Sequence, residues 1–244
     1  VPTKIADGPD TRGDIADVAG DIEFRDVSIA LGGRTVLDRV SFRIRAGEAV
    51  GITGRTGAGK TLIVKLITRL LDPDSGRVLV DGVDVRRIPV AVLRRRIGLV
   101  PQEPFLFGDT IADNIAYGIP EADDAPEAAA ERERRVREVA RLAQLEADVD
   151  GFPMGFATQL GERGVTLSGG QRQRTAIARA IIRDPSVLIF DDALSAVDTQ
   201  TEAAILDGLR RVQQGRTTIV VAHRVSAFAH CDRVLVLDDG RLVE

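Results

Sequence analysis

The sequence has a single cysteine, Cys231, in 244 residues, so it can form no internal disulfide. No clustered Cys/His spacing of a zinc site surrounds that cysteine, and such sparing use fits a reducing compartment. Every continuous apolar run falls far short of the ~20 residues needed to cross a bilayer. Nothing at the N-terminus has the form of a secretory signal. Basic residues are not in excess: the formal net charge is −4, which argues against nucleic acid as a partner. Internal repeats and low-complexity tracts are missing too. What is present is a composition that folds: 44% apolar and 29% charged residues, in a chain long enough for one large domain or one domain carrying a subdomain. The chain starts at Val1 rather than at a methionine, and is expected to be a piece of something longer.

Residues 1–20 combine Pro, Gly and Asp without apolar periodicity and read as a linker, with order expected from Asp21. IEFRDVSIAL and VLDRVSFRIR alternate apolar and polar residues around Gly32-Gly33, the pattern of an antiparallel hairpin with one buried face. AVGIT reads as a buried strand that enters a glycine-rich turn and then the helix TLIVKLITRLL. RVLVDGVDV reads as strand and turn, VAVLRRRI as a short helix and IGLV as a further strand. From about Phe105 the character changes: APEAAAERERRVREVARLAQLEA pairs opposite charges at i,i+4 and predicts a helix with one solvated face. After Ser168 come the helix QRQRTAIARAIIRD and the strands VLIF, TTIVVA and RVLVLDDG. Nearly unbroken Val/Ile/Leu strands alternating with helices imply an α/β fold with a parallel sheet covered on both faces.

GITGRTGAGKT contains G-x-x-x-x-G-K-S/T from Gly54 to Thr61, between a strand and a helix, which is the context that motif requires. Glycines let main-chain N–H groups turn inward around phosphate oxygens, and a helix N-terminus adds its positive dipole end. Lys60 is the candidate charge on the β- and γ-phosphates, and the Thr61 hydroxyl a candidate Mg²⁺ ligand. A phosphate site of this kind needs a carboxylate on a neighbouring strand end. VLIFD supplies Asp191, at the end of a strand where ligands of parallel sheets collect. A nucleoside triphosphate and Mg²⁺ are what these residues predict as ligands.

TLSGGQRQRTAIARAI, from Thr166 to Ile181, resembles the signature segment of ATP-binding cassette (ABC) ATPases, and with the other motifs the resemblance extends from Asp21 to Glu244. Read alone, LSGGQ is also a serine-capped helix start. The resemblance implies a P-loop NTPase (RecA-like) α/β core with an antiparallel β-subdomain and an α-helical subdomain inserted at about 105–180. It makes Gly54, Arg55, Thr56, Gly57, Ala58, Gly59, Lys60, Thr61 and Leu62 the ATP-binding loop. Thr61, Asp191 and Gln102 become the metal ligands, and His223 the residue that holds the γ-phosphate and the attacking water. Ser168, Gly169, Gly170 and Gln171 are implied to close over the ATP of a second nucleotide-binding domain, with Asp198 in a loop that crosses the dimer interface. TQLGERG and PFLFGDTIADNI resemble exporters, which implies a transmembrane domain as the other partner and a place at the cytoplasmic face of the membrane.

Three departures stand out. The residue after Asp191 is Asp192, where the family normally has glutamate to orient the attacking water. Leu31 stands where a tyrosine usually stacks on adenine, and Leu62 where a second hydroxyl is common. A carboxylate drawn back by about an ångström can cost on the order of 10²-fold in rate. The expectation is therefore a slowly hydrolysing site with catalytic residues Asp192, His223 and Gln102, in one half of a heterodimeric exporter whose other site this chain's intact signature completes. The alternatives are a regulatory module that never hydrolyses, or the ATPase of an importer or a soluble ABC system.

Overall fold

A computed structural model of the chain describes residues 5–119, 126–161, 164–195, 197, 199–213 and 215–243. They fall into two compact units, one made of Val1–Leu99, Pro185–Asp191 and Gln213–Glu244, the other of Val100–Asp184 and Asp192–Val212.

In the first unit, β1 (Ile22–Leu31) and β2 (Arg34–Ile44) form the hairpin that the alternating pattern predicts, turning at Gly32-Gly33. Phe24 and Phe42 face each other across it and stack with ring centroids 4.5 Å apart, so the hairpin buries an aromatic pair on its inner face. β3 (Ala49–Gly54) then runs into the loop that opens α1 (Lys60–Ile67). Leu62, Ile63, Val64, Leu66 and Ile67 are all buried, as expected of a helix apolar on nearly every side. β4 (Ser75–Val80) and β5 (Val83–Asp84) add to the hairpin, giving a four-stranded antiparallel sheet in the order β2-β1-β4-β5. The short helix α2 (Val90–Arg95) leads to β6 (Ile97–Val100).

The second unit is helical. It holds α3 (Ile111–Ala116), α4 (Pro126–Leu142), α5 (Glu146–Asp150), α6 (Gly169–Ile182) and α7 (Thr199–Gln213). α3, α4 and α6 pack on one another. The charged run of α4 has the solvated face its spacing predicts: Arg134 pairs with Glu138 and Arg137 with Glu133 at i,i+4, and Arg134 also with Glu131 at i,i+3. Val136, Val139 and Ala140 on its other face are buried. A buried polar centre fixes α3 to α6. Asn114 donates to the carbonyls of Phe107 and Thr110, while its own side-chain oxygen accepts from Phe107 N–H and from Arg179 at 2.8 Å. Burial presses the Arg179 guanidinium below its ordinary pKa, and it lies over the rings of Phe107 and Tyr117.

The chain returns to the first unit through β7 (Val187–Asp191), β8 (Thr217–Val221), β9 (Arg233–Asp238) and β10 (Arg241–Leu242). The second sheet has the order β10-β9-β3-β8-β7-β6; β3, β7, β8 and β9 are parallel and β10 closes the edge antiparallel to β9. Every residue of β7 and β8 is buried, which explains why Val187–Phe190 and Ile219–Val221 are unbroken apolar runs rather than alternating ones.

Residues 5–20, read from composition as a linker, have no regular structure but are fastened to the first unit. Asp81, in the β4–β5 turn, accepts the N–H groups of Ala19, Gly20 and Asp21 at 2.6, 3.0 and 2.9 Å. Val18 is buried beside them, and Arg96 donates to Asp17 at 2.8 Å.

Candidate functional site

The parallel strands bring their carboxyl ends to one level in the first unit. Ile52 pairs with Val221, and Val221 with Asp191, so Gly54, the last residue of β3, and His223, beyond the end of β8, each stand two residues past the rung that Asp191 occupies. Chain connectivity thereby gathers three of the residues singled out in the sequence at one sheet edge, where α/β proteins bind ligands.

The loop from Gly54 to Gly59 can be built only with glycine at its ends. A Cβ on Gly54, whose φ is 144°, would lie 2.0 Å from the carbonyl oxygen of Leu237. One on Gly59, at φ 104°, would lie 2.5 Å from Leu37 Cδ2. The loop is thus pressed against β9 on one side and β2 on the other, in left-handed backbone that lets successive N–H groups turn toward an anion. Lys60 is only 7% exposed; its Nζ donates to the carbonyls of Gly54 and Arg55 at 2.8 and 2.9 Å and so arches over the loop. Arg55, Thr56 and Gly57 are exposed, with Arg55 3.8 Å from Asp238. Ala58 and Leu62 point the other way, into the core, and the Leu62 N–H is taken by the Gly59 carbonyl.

Thr61, at the start of α1, lies with its Oγ1 3.4 Å from Oδ1 of Asp191, which is 6% exposed. A hydroxyl and a carboxylate at this spacing are hard oxygen donors of the kind magnesium takes, and the glycine cradle beside them suits the phosphates of ATP. His223 is exposed, two residues past β8. Leu31 is 46% exposed and pairs with Arg34 at the tip of the β1–β2 hairpin, an apolar surface left in solvent.

The second unit holds the other group of predicted residues. Gln102 is exposed, and its Nε2 donates to Oδ2 of Asp192 at 3.3 Å. Asp192 has φ 50°, a left-handed conformation that aspartate tolerates better than most residues. Ser168 caps α6 in a reciprocal box: its hydroxyl accepts from Gln171 N–H at 3.2 Å, and the Gln171 side-chain oxygen accepts from Ser168 N–H at 2.9 Å. The helix start therefore satisfies the capping reading of LSGGQ, while the Ser168 O–H stays chemically able to donate. Gln171 Nε2 donates to Asp148 at 2.9 Å, so both ends of its amide are engaged within the unit. Gly169 and Gly170 form the first turn of α6, half-buried. Asp198 lies outside the described residues, as do Glu162 and Arg163 of TQLGERG. Gln173, on α6, is a buried polar residue that joins this network and that the sequence pattern did not single out.

Residues 37–195 match the family model described as ABC transporter. The chain is 46% identical over 230 residues to ABC transporter B family member 19 of Arabidopsis thaliana, covering 93% of this chain and 18% of that protein. It is equally 46% identical over 229 residues to the ATP-dependent lipid A-core flippase of Aromatoleum aromaticum, covering 93% of this chain and 37% of the flippase. Among solved structures, a bacterial Atm1-family ABC exporter with ATP bound superposes with a TM-score of 0.88 at 40% identity, over 99% of this chain and 41% of the exporter chain. The chain thus spans well under half the length of these relatives. Among the described residues no helix is long and apolar enough to cross a membrane. A glycine-built loop at the carboxyl edge of a parallel sheet, a capped LSGGQ helix and a family match over residues 37–195 agree on one assignment: the chain belongs to the ABC transporter family, as its ATP-binding ATPase domain.

Proposed function

We propose that the chain powers an ABC exporter from a site that holds ATP and hydrolyses it slowly. The cradle from Gly54 to Thr61 would hold the triphosphate, with Lys60 exchanging its two carbonyl partners for phosphate oxygens. Thr61 and Asp191 fit a magnesium ion, and the family resemblance adds Gln102 as a further ligand and gives His223 the γ-phosphate and the attacking water. Magnesium, when bound, neutralises charge on the phosphates. Leu31 offers the base an aliphatic contact in place of an aromatic one.

The observation that carries the slow-site reading is Asp192. It stands immediately after the strand-end carboxylate and is one methylene shorter than the glutamate the family places there, so its carboxylate falls short of the position from which a water is best oriented. Its hydrogen bond with Gln102 favours the same assignment of both residues to hydrolysis. An intact Ser168–Gln171 helix start in the same chain as such a site favours an asymmetric pair, in which this chain's α6 closes over the nucleotide of a different nucleotide-binding domain and a transmembrane domain takes up the motion. Asp198 is proposed to lie in that interface.

Equilibrium binding of ATP with and without Mg²⁺, followed by phosphate release over hours, tests the reading. Tight magnesium-dependent binding with slow but finite release is expected. Release that never exceeds the no-protein control would make the chain a regulatory module instead. Rapid turnover accompanied by ATP-dependent self-dimerisation would contradict the asymmetric pair.

A further inference from the structure

We propose that Gln173 is a positioning residue for hydrolysis, acting through Ser195 on the turn that carries Asp192. The inference rests on the reading of Asp192 as the carboxylate that orients the attacking water, and it assigns a role to a residue of the signature segment that lies beyond its Ser168–Gln171 helix start.

Gln173 is 3% exposed. An amide so deeply buried is expected to be hydrogen-bonded, and its partner is informative. Gln173 Nε2 donates to Ser195 Oγ at 3.3 Å, and Ser195 Oγ in turn donates to the carbonyl oxygen of Asp192 at 2.9 Å. The Ser195 N–H reaches the same carbonyl at 3.3 Å, closing the turn from Asp192 to Ser195. Asp192 sits in left-handed backbone, at φ 50°. Aspartate tolerates that conformation, and the two hydrogen bonds to its carbonyl keep the turn in it.

Ser195 is exposed, and on its own it could exchange its intramolecular bond for water. The fixed point is therefore the buried amide, carried by a helix packed against α3 and α4. The consequence for chemistry follows from side-chain length. Aspartate has only two torsions between main chain and carboxylate, so a rotation of the turn moves the carboxylate almost one for one. A shift of about an ångström at such a group costs on the order of 10²-fold in rate. Gln173 also lies two residues beyond Gln171 on α6, which ties the helix that bears the signature to the turn that bears Asp192.

The test compares the chain with Gln173→Met, Ser195→Ala and the double variant, each in the parent and in an Asp192→Glu background, together with Asp192→Asn. Mg-ATP affinity, kcat from phosphate release and melting temperature are read for each. The expected result is a kcat lowered on the order of tenfold by either single change, with Kd altered less than about twofold. The double variant should be no slower than the worse single one, because both act through one chain of bonds. Ser195→Thr, which keeps the hydroxyl, should restore kcat. Unchanged kcat in Ser195→Ala and Gln173→Met, with Asp192→Asn inactive, would overturn the role of Gln173 and leave that of Asp192 standing. An active Asp192→Asn would remove both. Should Gln173→Met fail to fold, the contrast between Ser195→Ala and Ser195→Thr decides alone: equal kcat in the two overturns the proposal.

Discussion

The two units build their site residues by different means. In the first, the cradle proposed for phosphate is mostly main chain: glycines at Gly54 and Gly59 in backbone that side chains rarely adopt, Lys60 folded over the loop, and Asp191 buried at the end of a strand enclosed on both faces. In the second, the equivalent residues are held by side-chain hydrogen bonds on turns and a helix start: Gln102 on Asp192, Ser168 on Gln171, Gln171 on Asp148. A cradle made of main chain survives changes in side-chain chemistry and fails only when its backbone path is blocked. A turn held by side chains can be retuned by one methylene. Binding should therefore be robust in this chain and turnover adjustable.

That contrast can be broken most directly at Gly54. Gly54→Ala would force a Cβ against the Leu237 carbonyl in a backbone conformation alanine avoids, and is expected to lower stability by about 3 kcal/mol, read as a fall in melting temperature. An unchanged melting temperature would mean that the loop is not pressed against β9. Next in size, Lys60→Ala removes the cation arched over the loop without changing the backbone; Mg-ATP affinity should drop on the order of 100-fold in a titration while the fold persists.

The second unit should respond to acid through Asp113. Burial alone would raise the pKa of that carboxyl, but hydrogen bonds from Thr110 and Arg132 outweigh it and hold the folded value below the usual range. A depressed folded pKa means that the stabilisation is fully present above the unfolded value of about 4 and is lost as pH falls through the folded one. Asp113→Asn should therefore flatten the pH dependence of the urea midpoint in that acidic window. The smallest effect is expected on the solvated face of α4, where Arg134→Ala breaks two exposed ion pairs and should leave both nucleotide affinity and turnover at parent values.

The two regions also differed in how far the sequence disclosed them. The spacing of Gly54, Gly59, Lys60 and Thr61 after an aliphatic strand carries the cradle in local order alone, because each residue is needed for its backbone or its charge at a fixed distance along the chain. The hairpin, the parallel strands and the helix starting after Ser168 are likewise written in period and capping. Residues 5–20 were opaque because what holds them is remote: Asp81, some 60 residues away, accepts three of their N–H groups. Gln173 was hidden for a related reason. It sits in the polar run QRQR, where nothing local distinguishes a buried amide from an exposed one. Helix α7 went unnamed because its segment lies between conspicuous strands and carries no motif of its own. In the cradle loop, Leu62 is part of the contiguous run, yet its side chain belongs to the core.

The most direct test of the account is the rate of phosphate release at saturating Mg-ATP from the parent chain and from Asp192→Glu, with nucleotide affinity measured in parallel. Turnover rising on the order of 10²-fold in the glutamate variant, at unchanged affinity, is the predicted result. A parent already as fast as the variant would show that the shorter carboxylate reaches its water, and would contradict the slow site on which the asymmetric exporter depends.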